Sequence, residues 1–215
     1  MTMKILMTRT TLAVSAVLLL GGALAGCVPL LIGGAAVGGG LVVTDRRTTG
    51  TQIEDEGIEI KSAARVRELA TLGHVNVTSY NRVLLVTGEV PAESDKVNIE
   101  QVLSKVENVK SVVNELGIGP NSSTGSRTTD TFLSGKVKAT MVDAKDVQAN
   151  AYKVVVERAI VYLMGRVTER EAARGADLAR SVTSVQKVVR VFEILTEDEL
   201  ANLGRATAGP APAPK

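Results

Sequence analysis

The sequence predicts an α+β fold made of two tandem copies of one unit, each a three-stranded mixed sheet packed by two helices in the order helix, strand, strand, helix, strand. Three observations predict it. The succession of helical and strand-like apolar patterns in residues 46–118 returns in residues 129–196. In both copies an apolar run stops at a glycine, Val83-Leu84-Leu85-Val86 before Gly88 and Ile160-Val161-Tyr162-Leu163-Met164 before Gly165. Setting Gly88 on Gly165 then aligns Val90 with Val167 and, after a one-residue gap, Lys110-Ser111-Val112-Val113 with Gln186-Lys187-Val188-Val189. A unit of about 70 residues barely buries an adequate core without disulfides, so each sheet's other face or edge is expected to lie against its twin.

Residues 1–26 carry the order of an export signal: Lys4 and Arg9, then an apolar run from Leu12 to Leu20 ending in small residues. The run is shorter than the about 20 apolar residues needed to span a bilayer. Its ending, Leu24-Ala25-Gly26-Cys27, resembles the lipobox of bacterial lipoproteins, which implies cleavage before Cys27 and lipid on that residue. Cys27 is also the sole cysteine, so no internal disulfide can form. Residues 27–45 include five glycines between Val28 and Val43, a composition that reads as a tether rather than a second span. Val28 follows the cysteine where many inner-membrane lipoproteins have Asp, which by resemblance implies passage to the outer membrane.

In the first unit, Ile53, Ile58, Val66 and Leu69 recur at helical spacing over 52–72, with Glu54, Asp55 and Glu56 in what reads as the opening turns and Gly73 closing the helix. His74–Tyr80 and Arg82–Val90 read as a hairpin joined near Asn81. Pro91 opens a helix to about Val106, with Val97, Ile99, Val102, Leu103 and Val106 as its buried stripe, and Val109–Ile118 reads as the third strand. Residues 119–128 read as a linker, within the Gly/Pro/Ser stretch Gly117–Gly125. The second unit repeats the order: a helix over Asp130–Asp143 with Leu133, Val137 and Met141 at spacing four, strands at 148–156 and 158–167, a helix over 168–182 and a strand over 185–195. Residues 197–215 read as a flexible tail, ending in alternating Pro and Ala.

Net charge is +2 overall but divides unevenly, at −2 over residues 46–120 and +4 over 121–195. Two Phe, three Tyr and no Trp leave no stacking platform for nucleic acid. His74 is the only histidine, and no metal-ligand spacing, phosphate loop or nucleophile-base pair is recognisable, so the chain reads as non-enzymatic with no catalytic residues, metal or cofactor.

The repeated unit resembles the BON domain, and a lipobox followed by two such units resembles the dual-BON outer-membrane lipoproteins. The residues that carry the resemblance are Arg47-Thr48-Thr49-Gly50-Thr51-Gln52, the hairpin stretches Asn76–Tyr80 and Val83–Gly88, Phe192, and above all Tyr162-Leu163-Met164-Gly165-Arg166-Val167-Thr168-Glu169-Arg170-Glu171-Ala172. The resemblance implies two tandem BON domains on a lipid anchor at the periplasmic face of the outer membrane, a role in envelope integrity at division sites, and a link to outer-membrane protein assembly machinery. It also implies that the second domain's first helix binds anionic phospholipid such as phosphatidylglycerol. In this chain that helix supplies Phe132, Leu133, Lys136, Val137, Lys138, Thr140 and Met141. On a helical wheel Phe132 lies well over 100° from the core direction set by Leu133, Val137 and Met141, with Lys136 one turn on. On the residues alone it reads equally as a rim residue over the domain junction or as an interfacial anchor. The family often has Trp where this chain has Phe132. The other reading of the whole chain is a tethered adaptor that docks on protein partners without recognising lipid.

Overall fold

A β-hairpin with two left-handed residues and no glycine at its turn needs outside help, and both hairpins of this protein receive it from an aspartate on the preceding helix. In the computed structural model, which describes residues 45–69 and 73–207, the turns are Asn81-Arg82 (φ 50° and 67°) and Arg158-Ala159 (φ 53° and 57°). Such turns favour Asn-Gly because both central residues take positive φ. Here the Asp55 carboxylate accepts the Asn81 and Arg82 N–H groups at 2.8 and 2.7 Å, and Asp130 accepts those of Arg158 and Ala159 at 2.9 and 2.8 Å. Both aspartates are buried. Asp55 and Asp130 therefore mark equivalent points of the two units.

The first unit runs α1 (Thr49–Glu68), β1 (His74–Tyr80), β2 (Val83–Val90), α2 (Glu93–Leu103), β3 (Ser111–Asn114) and β4 (Gly117–Ile118). The second runs α3 (Thr124–Asp143), a short 3-10 turn (Ala149–Ala151), β5 (Tyr152–Glu157), β6 (Ile160–Thr168), α4 (Glu169–Ser181) and β7 (Lys187–Leu195), followed by α5 (Glu197–Thr207). In each sheet the glycine-terminated strand is central. β1 pairs antiparallel with β2 through Val77 and Val86, while β3 pairs parallel through Leu84 and Val112. β5 pairs antiparallel with β6 through Val154 and Leu163, and β7 pairs parallel through Val161 and Val188. The two glycines are there because the neighbouring backbone comes too close for a side chain. A Cβ on Gly88 (φ 115°) would stand 1.9 Å from the His74 carbonyl oxygen, and one on Gly165 would stand 2.4 Å from that of Ala151.

Strand alternation sends the two faces of each sheet to different cores. Leu84 and Val86 pack with Ile58, Ile99 and Leu103 beneath α1 and α2. Val161, Leu163 and Val167 pack with Leu133, Val137, Met141 and Ala172 beneath α3 and α4. The opposite faces meet: Tyr80 and Leu85 of the first sheet form one buried cluster with Tyr162 and Met164 of the second. The result is four layers, helix, sheet, sheet and helix, all within one compact unit. Each small domain thus gains the second core that its length demands.

Several element boundaries differ from the sequence reading. The first helix starts at Thr49, where Thr48 accepts the Thr51 N–H at 3.1 Å, so Glu54, Asp55 and Glu56 lie beyond its opening turn and act there as something other than dipole partners. The third strand of the first unit is broken, because Leu116 turns into the core. The linker over 119–128 is shorter than its composition suggests: Ser123 caps a helix that already runs from Thr124. Thr128, Thr129 and Thr131 donate their hydroxyls back to the carbonyls of Thr124, Gly125 and Arg127 at 3.0 Å each, which lets a threonine-rich run stay helical. The tail is also structured over Glu197–Thr207. Thr196 and Glu199 form a reciprocal cap, Thr196 N–H donating to Glu199 Oε2 at 2.8 Å and Glu199 N–H to Thr196 Oγ1 at 3.2 Å. Cys27, the export signal, the tether up to residue 44 and the Pro/Ala end from 208 lie outside the described residues.

Candidate functional site

Because α3 buries Leu133, Val137 and Met141 against the second sheet, the residues half a turn away must face outward. Apart from Lys136 they are uncharged, unlike an ordinary solvated face. Thr128, Thr131, Phe132, Gly135, Lys136 and Ala139 line a shallow, open depression of about 630 Å³. Phe132 is 71 % exposed, and Val142 continues the line at the carboxyl end. The hydroxyls of Thr128 and Thr131 are already spent on helix carbonyls, so these side chains add methyl groups to the stripe. Cations border it on both flanks, Lys136 on one and Arg127 with Lys138 on the other. The acids of α3 are Asp130, which is buried, and Asp143, exposed at its carboxyl end beside Val142. Lys136 and Lys138 make no ion pair among the described residues.

Of the residues expected to touch lipid, the structure brings Phe132, Lys136 and Lys138 to the surface. Leu133, Val137 and Met141 are corrected to core residues: at 3 % exposure or less they have no surface to offer a bilayer. Thr140 is half-buried and donates its hydroxyl to the Lys136 carbonyl at 3.0 Å, so it contributes to the helix rather than the face. Gly135, Ala139, Val142 and Arg127 belong to the stripe and its flank, though the sequence pattern did not single them out. Their signal was a second apolar period in antiphase with the core period.

Three further polar groups lie at or near the junction of the two domains. A strap before α1 crosses to the second domain, where the Arg46 guanidinium, only 7 % exposed, donates to both Glu171 oxygens at 2.7 and 2.8 Å and to the Arg166 carbonyl at 2.8 Å. That guanidinium, together with the Thr168 N–H, holds the Glu171 carboxyl below its usual range despite burial. Arg47 pairs with Asp45 and Asp55 and lies 4.2 Å above the centre of the Tyr80 ring. Beside α3, Asn76 of the first domain donates to Glu157 of the second at 2.9 Å. Burial pushes the Glu157 carboxyl up; the Asn76 bond opposes this and the nearby Glu89 and Asp130 charges add to it.

Among the described residues no cluster of His, Cys, Asp or Glu is arranged to hold a metal ion, and no helix is long and apolar enough to cross a membrane. The outer face of α3 is thus an exposed apolar stripe bordered by cations.

The family comparison agrees with the repeat. Residues 55–120 and 129–196 each match the BON domain family, and the chain belongs to that family with two copies in tandem. It is 40 % identical over 175 residues to the outer membrane lipoprotein DolP of Haemophilus influenzae, covering 80 % of this chain and 90 % of that protein. It is 29 % identical over 151 residues to the 21 kDa hemolysin of Actinobacillus pleuropneumoniae, covering 69 % and 78 % respectively. Among solved structures it is similar to CdsD, a structural protein of the type III secretion system of Chlamydia trachomatis. The match has 13 % identity, covers 75 % of this chain and 99 % of that one, and has a TM-score of 0.28, too low to carry an argument.

Proposed function

We propose that this protein is an outer-membrane lipoprotein, anchored through Cys27 and facing the periplasm, whose second BON domain binds anionic phospholipid through the outer face of α3. The observation that carries the lipid contact is the stripe around Phe132, apolar along its middle and cationic on both borders. Entry of the ring below the headgroups is worth about 2 kcal/mol. Each cation near an anionic surface adds about 1 kcal/mol. Those terms make a weak site in solution and an effective one on a protein already held at the bilayer. The relative's name and the Leu24-Ala25-Gly26-Cys27 sequence support the anchor and the membrane. Envelope integrity at division sites and a link to outer-membrane protein assembly are the cellular roles this reading carries with it.

The test is co-sedimentation of residues 45–215 with vesicles. Vesicles containing phosphatidylglycerol should retain the protein at low salt, those of phosphatidylcholine should not, and Phe132→Glu should abolish retention. Equal retention on both, or none on either, would remove lipid recognition from the second domain. For the anchor, Cys27→Ala should leave a precursor of slower gel mobility that no longer fractionates with the outer membrane.

A further inference from the structure

Superposing the roles of Asp55 and Asp130 sets Gly57 of α1 where Phe132 stands in α3, and Ile60 where Gly135 stands. The bulky and small residues are thus exchanged between the two helices. Like α3, α1 carries an apolar line opposite its core: Ile53 is 66 % and Ile60 64 % exposed, and a Cβ added to Gly57 or to Gly135 would meet nothing within 4 Å. The charges differ as well. Glu54, which pairs with Arg82, and Glu56 border the amino-terminal half of the α1 line, and Lys61, which pairs with Glu107, stands where α3 has Lys136. Such acids are repelled by an anionic bilayer, so the lipid chemistry of α3 does not explain the exposed isoleucines of α1.

From this complementarity we propose that α1 of one copy docks on α3 of a second copy of this chain. With the helices antiparallel, Phe132 enters the gap at Gly57, and Lys136 comes beside Glu54. Because α1 and α3 lie on opposite outer layers of the same molecule, the contact is head to tail and leaves a free α1 and a free α3 at the ends of every row. A single helix-on-helix contact covers less than the about 800 Å² per partner typical of a stable complex. Association is therefore weak in dilute solution and appears when chains share one membrane surface. Anionic lipid and a neighbouring copy compete for the same α3 face.

The experiment uses the full chain, labelled with donor and acceptor dyes and reconstituted at rising density in vesicles of phosphatidylcholine, where no anionic headgroup occupies α3. Energy transfer should exceed that of randomly placed chains. The excess over the random level should fall about tenfold with Gly57→Trp, which fills the gap and leaves the lipid-facing helix untouched. The double variants Glu54→Lys/Glu56→Lys and Lys136→Glu/Lys138→Glu should each lose transfer alone, since both helices then carry one sign, and should recover it when mixed. Transfer at the random level for the native chain, or no recovery on mixing, overturns the proposal. The lipid reading has its own readout: Gly57→Trp should still bind phosphatidylglycerol vesicles, and Phe132→Glu should not.

Discussion

The helices α1 and α3 do the same job on their inner sides and carry different residues on their outer sides. Inwardly each supplies an aspartate that pins the following hairpin and a row of apolar residues that covers the sheet. Outwardly α1 presents Ile53 and Ile60 beside Glu54, Glu56 and Lys61, and α3 presents Phe132 beside Lys136. The comparison teaches that duplication preserved what the fold needs and released what it does not. The inner residues are held by packing and hydrogen bonds, while outer residues are free to be set by whatever each domain meets.

The largest expected effect comes from breaking the shared part. Leu133→Ala should cost about 2–5 kcal/mol in urea unfolding, as a fully buried leucine does. Phe132→Ala, one residue away, should change stability by less than about 0.5 kcal/mol, as surface substitutions do. Asp130→Ala and Asp55→Ala should each cost about 2–3 kcal/mol because two turn N–H groups lose their acceptor. The Asp55 variant should be worse, since Ser79 and Arg47 lose a partner too.

A sharper form transfers the outer face. Gly57→Phe alone should give the first domain no affinity for phosphatidylglycerol vesicles, whereas Gly57→Phe with Glu54→Lys and Glu56→Lys should rescue binding in a Phe132→Glu background. Binding by the single variant would show that charge does not divide the helices.

The smallest effects are in the pH dependence of the two carboxylates that join the domains, and they run in opposite directions. Glu171, held low beside Arg46, contributes stability that is full above the ordinary carboxylate range and is lost as pH falls through its depressed value. Glu157, pushed up by burial, contributes stability that is full below the ordinary range and is lost as pH rises through its raised value. Melting temperatures followed across mildly acidic pH should therefore fall less steeply on acidification in Glu171→Gln. In Glu157→Gln they should be higher at neutral pH, by a gain under about 1 kcal/mol.

The repeat was legible in the sequence because its markers are chemical necessities. Gly88 and Gly165 stand where a neighbouring carbonyl forbids a side chain, and the apolar runs before them are central strands with cores on both faces. The α3 core row was legible from its spacing of four. Of its outer row Phe132 and Lys136 were legible, but Thr128, Thr131 and Gly135 were not, because threonines do not read as apolar until their hydroxyls are seen bonded to the helix behind them and a glycine has no side chain to read. Nor could spacing reveal that Asp55 and Asp130 are buried: an acid early in a helix looks like a dipole partner, and only the hairpin folded beneath it changes its role. The capped helix after Thr196 had a sequence signal in Thr196-Glu197-Asp198-Glu199, but the proline-rich end beyond it dominated the composition.

The strap at Arg46 has a mechanical consequence. Any pull arriving along the chain from the amino-terminal side of Asp45 meets the two-pronged grip on Glu171 before it reaches the first turn of α1. Tension is thereby delivered to the second domain, at the start of α4, and the amino-terminal helix is spared from being peeled off its sheet. A chain pulled from that side is thus held first by its second domain.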